Sequence, residues 1–258
     1  MFWKKKTENI EQNSKIILGM VMLNDDTSFD IEKFTNDFKS NYGHDFQEGS
    51  GDNASFVFRI DGQMVAFGHM PVPIPAGDIE QTAQYAYNWQ TALDDTKDHK
   101  GHLIVSLMQS EQDQIKRFKI FTQVLCSLLR TTNAIGVYKG KQSLLIPKGD
   151  YLNEAEAMSD DYLPLNLWIY LGLRMTDDGN SAYTYGLTEF NKTEMEIVNS
   201  SQSLEDMREF LFNIAHYVLQ YNVTFQDGQT VGGSENEKIA IGLSKGRFVE
   251  GKTFKLAF

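Results

Sequence analysis

Apolar residues run almost unbroken from Ile16 to Leu23, the pattern of a strand covered on both faces. Asp30 then precedes Ile31, Phe34 and Phe38 at helical spacing, and Gly43 follows as a left-handed stop, so the pattern predicts a capped helix. The stretch from His44 to Ala54 is polar and reads as a loop. Phe56, Phe58 and Ile60 alternate with Val57 and Arg59, Asp61-Gly62 supplies a tight turn, and Met64 to Phe67 returns as the second strand of a hairpin. Asp78 is expected to cap a second helix with Ile79, Ala83, Ala86 and Leu93 inward and Trp89 at the edge of that stripe. Leu103 to Met108 closes the region as another interior-type strand. The order strand, helix, strand, strand, helix, strand is that of a split, ferredoxin-like unit.

Beyond it, Ser110 and Asp113 open a third helix that turns Ile115, Phe118, Phe121, Leu125 and Leu128 inward. Ala134 to Tyr138 and Ser143 to Ile146 form a hairpin through Lys139-Gly140-Lys141-Gln142, which Pro147 closes. Residues 148–163 are acidic with weak periodicity and hold at most one short helix, which makes them the natural boundary between two halves. Leu165 to Met175 pairs with Ala182 to Leu187 around Asp177-Asp178-Gly179-Asn180, and Met195 to Val198 adds a strand. Ser203 with Asp206 caps a last long helix whose inner face is Leu204, Met207, Leu211, Ile214 and Val218. Lys238 to Leu243 and Thr253 to Phe258 are the final strands. The expectation is an α+β fold of mostly antiparallel sheets with helices packed on them: residues 1–148 form the ferredoxin-like half with an added helix and hairpin, and residues 149–258 form an α+β half packed with it as one unit.

Three of the five prolines fall at Pro71, Pro73 and Pro75. Each fixes φ near about −65° and removes a donor, and each pushes the residue before it toward extended backbone. The segment therefore reads as a stiff strap between hairpin and helix, clamping neighbouring layers.

Composition narrows the function classes. The chain of 258 residues carries 35 acidic and 24 basic residues, a net charge of −11. That charge repels nucleic acid and anionic membranes unless lysines cluster, and Lys4-Lys5-Lys6, Lys139, Lys141 and Lys148 do not form such a patch. The single cysteine, Cys126, excludes an internal disulfide and lies in an apolar helical run, where a buried, inert thiol is expected. The first apolar run is too short to span a bilayer and follows acidic residues, so a cytoplasmic protein is expected, with neither membrane nor nucleic acid as partner.

Candidate chemistry is sparse. His69, His99 and His102, with Asp94, Asp95 and Asp98 nearby, are a weak metal set: no H-E-x-x-H is present, and neither a metal nor a cofactor is expected. No G-x-S-x-G and no phosphate-cradling Gly-Lys-Ser/Thr occurs, and Gly228, Gly232 and Gly233 read as turn residues. Glu189, Glu194 and Glu196 could form a carboxylate cluster, but strand alternation makes a solvated sheet face the ordinary reading for the last two. The aromatic set Tyr85, Tyr87, Trp89, Tyr138, Tyr162, Trp168, Tyr170, Tyr183 and Tyr185 suits either recognition or half-buried sheet packing.

The chain resembles a bacterial family known only as domain of unknown function 4261. The resemblance rests on Met70-Pro71-Val72-Pro73-Ile74-Pro75, Trp89, His99 with His102-Leu103-Ile104-Val105-Ser106, Gly136-Val137-Tyr138, Leu163-Pro164 with Leu167-Trp168, Thr184-Tyr185-Gly186-Leu187, Glu194 with Glu196, and Asp227-Gly228-Gln229-Thr230-Val231-Gly232. It departs where Lys139 replaces a usual Trp and where Asn191 follows Phe190 in place of Gly. The resemblance implies a shared fold and no assigned activity, and it leaves His69 outside the shared pattern.

The leading expectation is a non-catalytic binding or interaction protein of the immunity or accessory kind. Its partner is expected to be another protein, and its oligomeric state is open. The candidate binding surface is Pro71, Pro73, Pro75, Trp89, His102, Tyr138 and Trp168. The rival is a hydrolase-like enzyme whose site lies near His102, Tyr138 and Trp168, with His102 as general acid or base.

Overall fold

The computed structural model describes residues 16–44, 46–108, 113–232 and 238–258. Lys4-Lys5-Lys6, Ser110 and Gly233 lie outside them. Strand β1 (Ile17–Leu23) leads into helix α1 (Ile31–Tyr42). Asp30 accepts from Lys33 N at its start, and Gly43 ends it at φ 69°, as the spacing predicts. Strand β2 (Gln47–Gly51) follows, then the hairpin β3 (Ser55–Ile60) and β4 (Gln63–Met70). β2 is exposed along its whole length, so no apolar pattern betrays it in a stretch expected to be loop.

The expected second helix is two short ones, α2 (Ala76–Ala83) and α3 (Ala92–Thr96), separated by turns. Pro75, not Asp78, stands at the N-cap of α2, because its fixed φ and absent N–H suit a helix start. The break leaves Leu93 exposed and turns Trp89 and Ala92 inward. Strand β5 (Gly101–Leu107) and helix α4 (Gln114–Thr131) come next. The side chain of Asp113 itself caps α4, accepting from Ile115 N at 3.1 Å.

Strands β6 (Ala134–Lys139) and β7 (Leu144–Pro147) form the expected hairpin, and α5 (Lys148–Glu156) is the short helix after it. A further short helix, α6 (Leu165–Trp168), occupies the start of the strand expected from Leu165, so β8 (Tyr170–Thr176) begins later and pairs with β9 (Gly179–Tyr185). Strand β10 (Met195–Ser200), helix α7 (Leu204–Gln220) and strands β11 (Thr230–Val231), β12 (Ile239–Lys245) and β13 (Lys252–Leu256) complete the chain.

Two sheets result, in the orders β2-β3-β4-β5-β1-β6-β7 and β11-β12-β13-β10-β9-β8. The class is α+β. The first sheet is antiparallel throughout, and the second contains one parallel pair, β10 with β13. A ferredoxin-like order would seat β1 against β4, whereas here β5 lies between them, with Met70 opposite His102 and Met22 opposite the same residue. Hydrophobic periodicity says which face of a strand is buried but not which strand is its neighbour.

Alternation along β1 explains the layering. Val21 and Leu23 enter the main core with α1 and α4, while Met20 and Met22 meet Ile74, Ile79 and Trp89 on the other face. The crossover from β4 to β5 therefore runs over the face opposite α1. Helix α4 is buried nearly all round, from Arg117 to Leu129, because the first sheet covers one side and α6 with its neighbours the other. The Trp168 indole donates to Thr122 Oγ1 at 2.9 Å across that contact. One continuous set of buried apolar side chains thus reaches from Ile17 to Leu256.

Among the described residues, no helix is long and apolar enough to cross a membrane.

Candidate functional site

Of the residues expected to form one binding surface, the structure gathers the strap, Trp89, His102 and Tyr138 on one face of the first sheet and puts Trp168 elsewhere. Pro71, Pro73 and Pro75 are exposed, and only Ile74 between them is buried. The strap is held not by its rings but by its main chain. Ile74 N donates to His99 Nε2 at 2.8 Å, and His102 Nδ1 donates to Val72 O at 2.8 Å. Trp89 lies beneath the strap and donates its indole N–H to Asp95 Oδ2 at 2.6 Å. Tyr138 packs in the same small cluster, under α2. Trp168 sits in the main core on the opposite face of the sheet, 1% exposed. His102, Tyr138 and Trp168 therefore do not meet, and none lines any of the cavities described below. Strand-by-strand reading could not show this, because Trp168 lies on the short helix α6 where a strand was expected.

The histidines are engaged with backbone. His99 Nδ1 donates to Thr96 O at 2.6 Å while Nε2 accepts from Ile74, which requires the neutral ring. Burial pushes the His102 imidazole below its usual range. Among the described residues, no group of three or more His, Cys, Asp or Glu side chains could hold a metal ion. Cys126 is buried, and that burial pushes its thiol up to about 11, far from thiolate formation at neutral pH.

The carboxylates correct another expectation. Glu189, Glu194 and Glu196 are 5%, 3% and 0% exposed, not on a solvated face. Glu194 accepts from Thr184 Oγ1 at 2.7 Å, Gly186 N at 2.8 Å and Thr188 N at 3.2 Å, so it ties the turn after β9 to the start of β10. Its burial outweighs those bonds and raises its pKa. Glu196 accepts from Arg247 N at 3.0 Å, Phe248 N at 2.9 Å and Val249 N at 3.2 Å, and pairs with Lys255 Nζ at 2.6 Å. Burial acts upward on Glu196 too, but Lys255 and the backbone donors together hold its carboxyl below the usual range. Both groups organise loops and leave little capacity for a substrate.

Lys139 is 2% exposed. Its ammonium donates to Leu167 O at 3.0 Å and lies 5.1 Å from the Phe118 ring centroid. Burial pushes its pKa down to about 7. Asn191, the other departure from the resembling family, takes φ 57°, a conformation that Gly enters without strain and Asn enters more readily than most residues.

What the structure does assemble is a groove between the two sheets. The first cavity, about 380 Å³, runs between β7 and β8, from Ser143–Pro147 on one side to Ile169–Leu171 on the other, with Asp150 and Glu154 at its acidic end. The second, about 810 Å³, is lined by Arg174, Tyr183, Tyr185, Phe248 and Lys252. The two share Tyr85, Ser143 and Tyr170 and so meet at a tyrosine waist. Leu144, Tyr170 and Tyr183 form a small apolar floor separate from the main core. The Tyr170 and Tyr183 ring centroids are 6.1 Å apart at 70°, Tyr85 meets Tyr170 edge-on at 5.9 Å, and Tyr183 stacks on Phe248 at 5.3 Å.

Local sequence explains this floor. Gly172 stands opposite Tyr183 across β8 and β9, and a Cβ there would lie 2.1 Å from the Tyr183 ring. The missing side chain lets the ring lie flat over the strand. The aromatic residues were visible as a set in the sequence, but their gathering depends on β7 of one sheet approaching β8 of the other.

Residues 183–257 match the model of a family described as Domain of unknown function (DUF4261). The match takes in the second-sheet wall of the groove, including Tyr183, Tyr185, Phe248 and Lys252, together with Glu194 and Glu196. No curated protein and no solved structure matches the chain.

Proposed function

We propose that this is a non-catalytic binding protein whose ligand site is the tyrosine-walled groove between the sheets. The observation that carries the reading is the meeting of two cavities at Tyr85, Ser143 and Tyr170 over a floor that is apolar yet rimmed with hydroxyl groups. Their size is that of small-molecule sites, which are concave, largely apolar and furnished with a few polar groups. Tyrosine suits such a wall because it offers a broad ring at low conformational cost and a polar tip.

Engagement of His99, His102, Glu194 and Glu196 with backbone supports binding over catalysis, since a general acid or base must be available to a substrate. The single buried cysteine and absence of any internal disulfide support a cytoplasmic setting.

Chemical-shift mapping of the ¹⁵N-labelled protein with small aromatic probes tests the reading. Benzyl alcohol at millimolar concentration is expected to shift amides of residues 85–88, 143–146 and 169–174. Shifts confined to other surfaces, or none, would overturn it.

A further inference from the structure

Arg174 is the unusual charge in the groove. Its guanidinium lies 5.5 Å from the Tyr85 ring centroid, and Nη2 is 3.4 Å from the Tyr183 hydroxyl. Among the described residues it makes no ion pair with a carboxylate, in a chain with net charge −11. Lys252 lines the same cavity and likewise has no carboxylate partner there.

The other charged groups of this wall are accounted for. The Lys192 ammonium is held by Asn222 Oδ1 at 2.7 Å and Thr224 Oγ1 at 3.3 Å. Glu194 is bonded to Thr184, Gly186 and Thr188, which leaves Glu250 as the remaining carboxylate, exposed at the rim. Two uncompensated cations thus border a cavity floored by aromatic rings.

We infer that this compartment takes a small ligand in which a planar ring carries an anionic oxygen group, a carboxylate or a phosphate, with the ring against Tyr170 and Tyr183 and the anion on Arg174 and Lys252. The inference rests on the groove being the binding site and adds the class of ligand. A guanidinium already stacked on Tyr85 is pre-oriented, and its planar fork suits the paired oxygens of either anion. The protein's overall negative charge does not forbid this, because repulsion from distant carboxylates is screened over roughly 10 Å at about 0.1 M salt.

Calorimetric titration of the full chain with phenyl phosphate, phenylacetate, inorganic phosphate and benzyl alcohol tests it. Whichever ring-bearing anion is the better mimic is expected to bind about tenfold or more tightly than benzyl alcohol or phosphate. Arg174→Gln should weaken that anion by about tenfold and weaken benzyl alcohol far less, with Arg174→Lys recovering part of the loss. Lys252→Gln, at an exposed strand start, is the second variant and should weaken the anion by severalfold with the fold intact. Benzyl alcohol binding in the groove as tightly as both ring-bearing anions would overturn the anionic assignment and leave the groove reading standing. Failure of every aromatic probe to reach the groove would overturn both.

Discussion

The main-chain N–H of Ile74 donates to Nε2 of His99 at 2.8 Å, so the proline strap is fastened by an imidazole nitrogen and not by its rings. His102 holds the strap at a second point through Val72 O. Far from it in the chain, His216 plays the same part, with Nε2 accepting from Leu163 N at 3.0 Å.

Stability should therefore fall in mild acid. Burial lowers the folded pKa of both His102 and His216 below 6.5, so the unfolded chain binds more protons once the pH drops under that value. The loss begins near pH 6.5 and levels off below the folded pKa values. Urea midpoints measured from pH 8 to pH 5 should decline, and His102→Asn with His216→Asn should flatten the decline. An unchanged slope in the double variant would refute this account.

Lys139 acts at the other end of the pH scale. Its folded pKa of about 7 lies below the 10.5 of an ordinary lysine, so stability should rise as pH increases from 7 toward 10.5, where the unfolded chain retains a proton that the folded one has lost. Lys139→Met keeps the long stem beside Phe118 and Leu167 and removes the ionisable head. It is expected to raise stability by roughly 1–3 kcal/mol at pH 6 and to abolish the rise. Thermal unfolding across that range decides the matter.

The two buried glutamates should respond differently to the same change. Glu196→Gln loses the Lys255 partner and some of the donors from Arg247, Phe248 and Val249, and should cost about 2–4 kcal/mol at pH 7. Because the Glu196 pKa is depressed, its contribution is present above 4.5 and is lost as pH falls through the folded value. Glu194 has a raised pKa, so its linkage runs the other way, favouring the fold as pH falls from the folded pKa to 4.5. Glu194→Gln should be the milder variant, and equal losses from chemical denaturation would contradict the contrast.

Gly172→Ala should disturb the groove from beneath. The added Cβ would meet the Tyr183 ring at 2.1 Å, forcing it off β8. Overpacking of this kind costs roughly 1–3 kcal/mol. Benzyl alcohol affinity should fall with stability; a variant that binds normally would show that Tyr183 is not part of the floor.

Thr122→Val tests the tie between α4 and α6. It preserves volume but leaves the buried Trp168 indole without its acceptor, at a cost of about 1–3 kcal/mol measured by urea unfolding.

Local order was legible where local physics dominates. Asp30 and Gly43 bound α1, Ser203 caps α7 by accepting from Asp206 N at 3.1 Å, and Asp61-Gly62 turns the first hairpin. Helices and tight turns are determined by neighbours within about four residues, which is the range a sequence pattern reports. β2 carries no apolar signature because an exposed edge strand needs only a partner's backbone, and the apolar spacing from Ala76 to Thr96 continues through a break in the helix.

Everything concerning the site was decided by assembly. The sequence alone determined that Trp89, Trp168 and eleven scattered tyrosines exist, that acids outnumber bases, and that buried strands alternate with amphipathic helices. Only the tertiary structure buried Trp168, turned Glu194 and Glu196 inward and brought Tyr85, from the turn after α2, to Tyr170 on β8. The reason is physical: periodicity records how each segment divides apolar from polar surface, whereas which edges and faces meet follows from the packing of all segments at once.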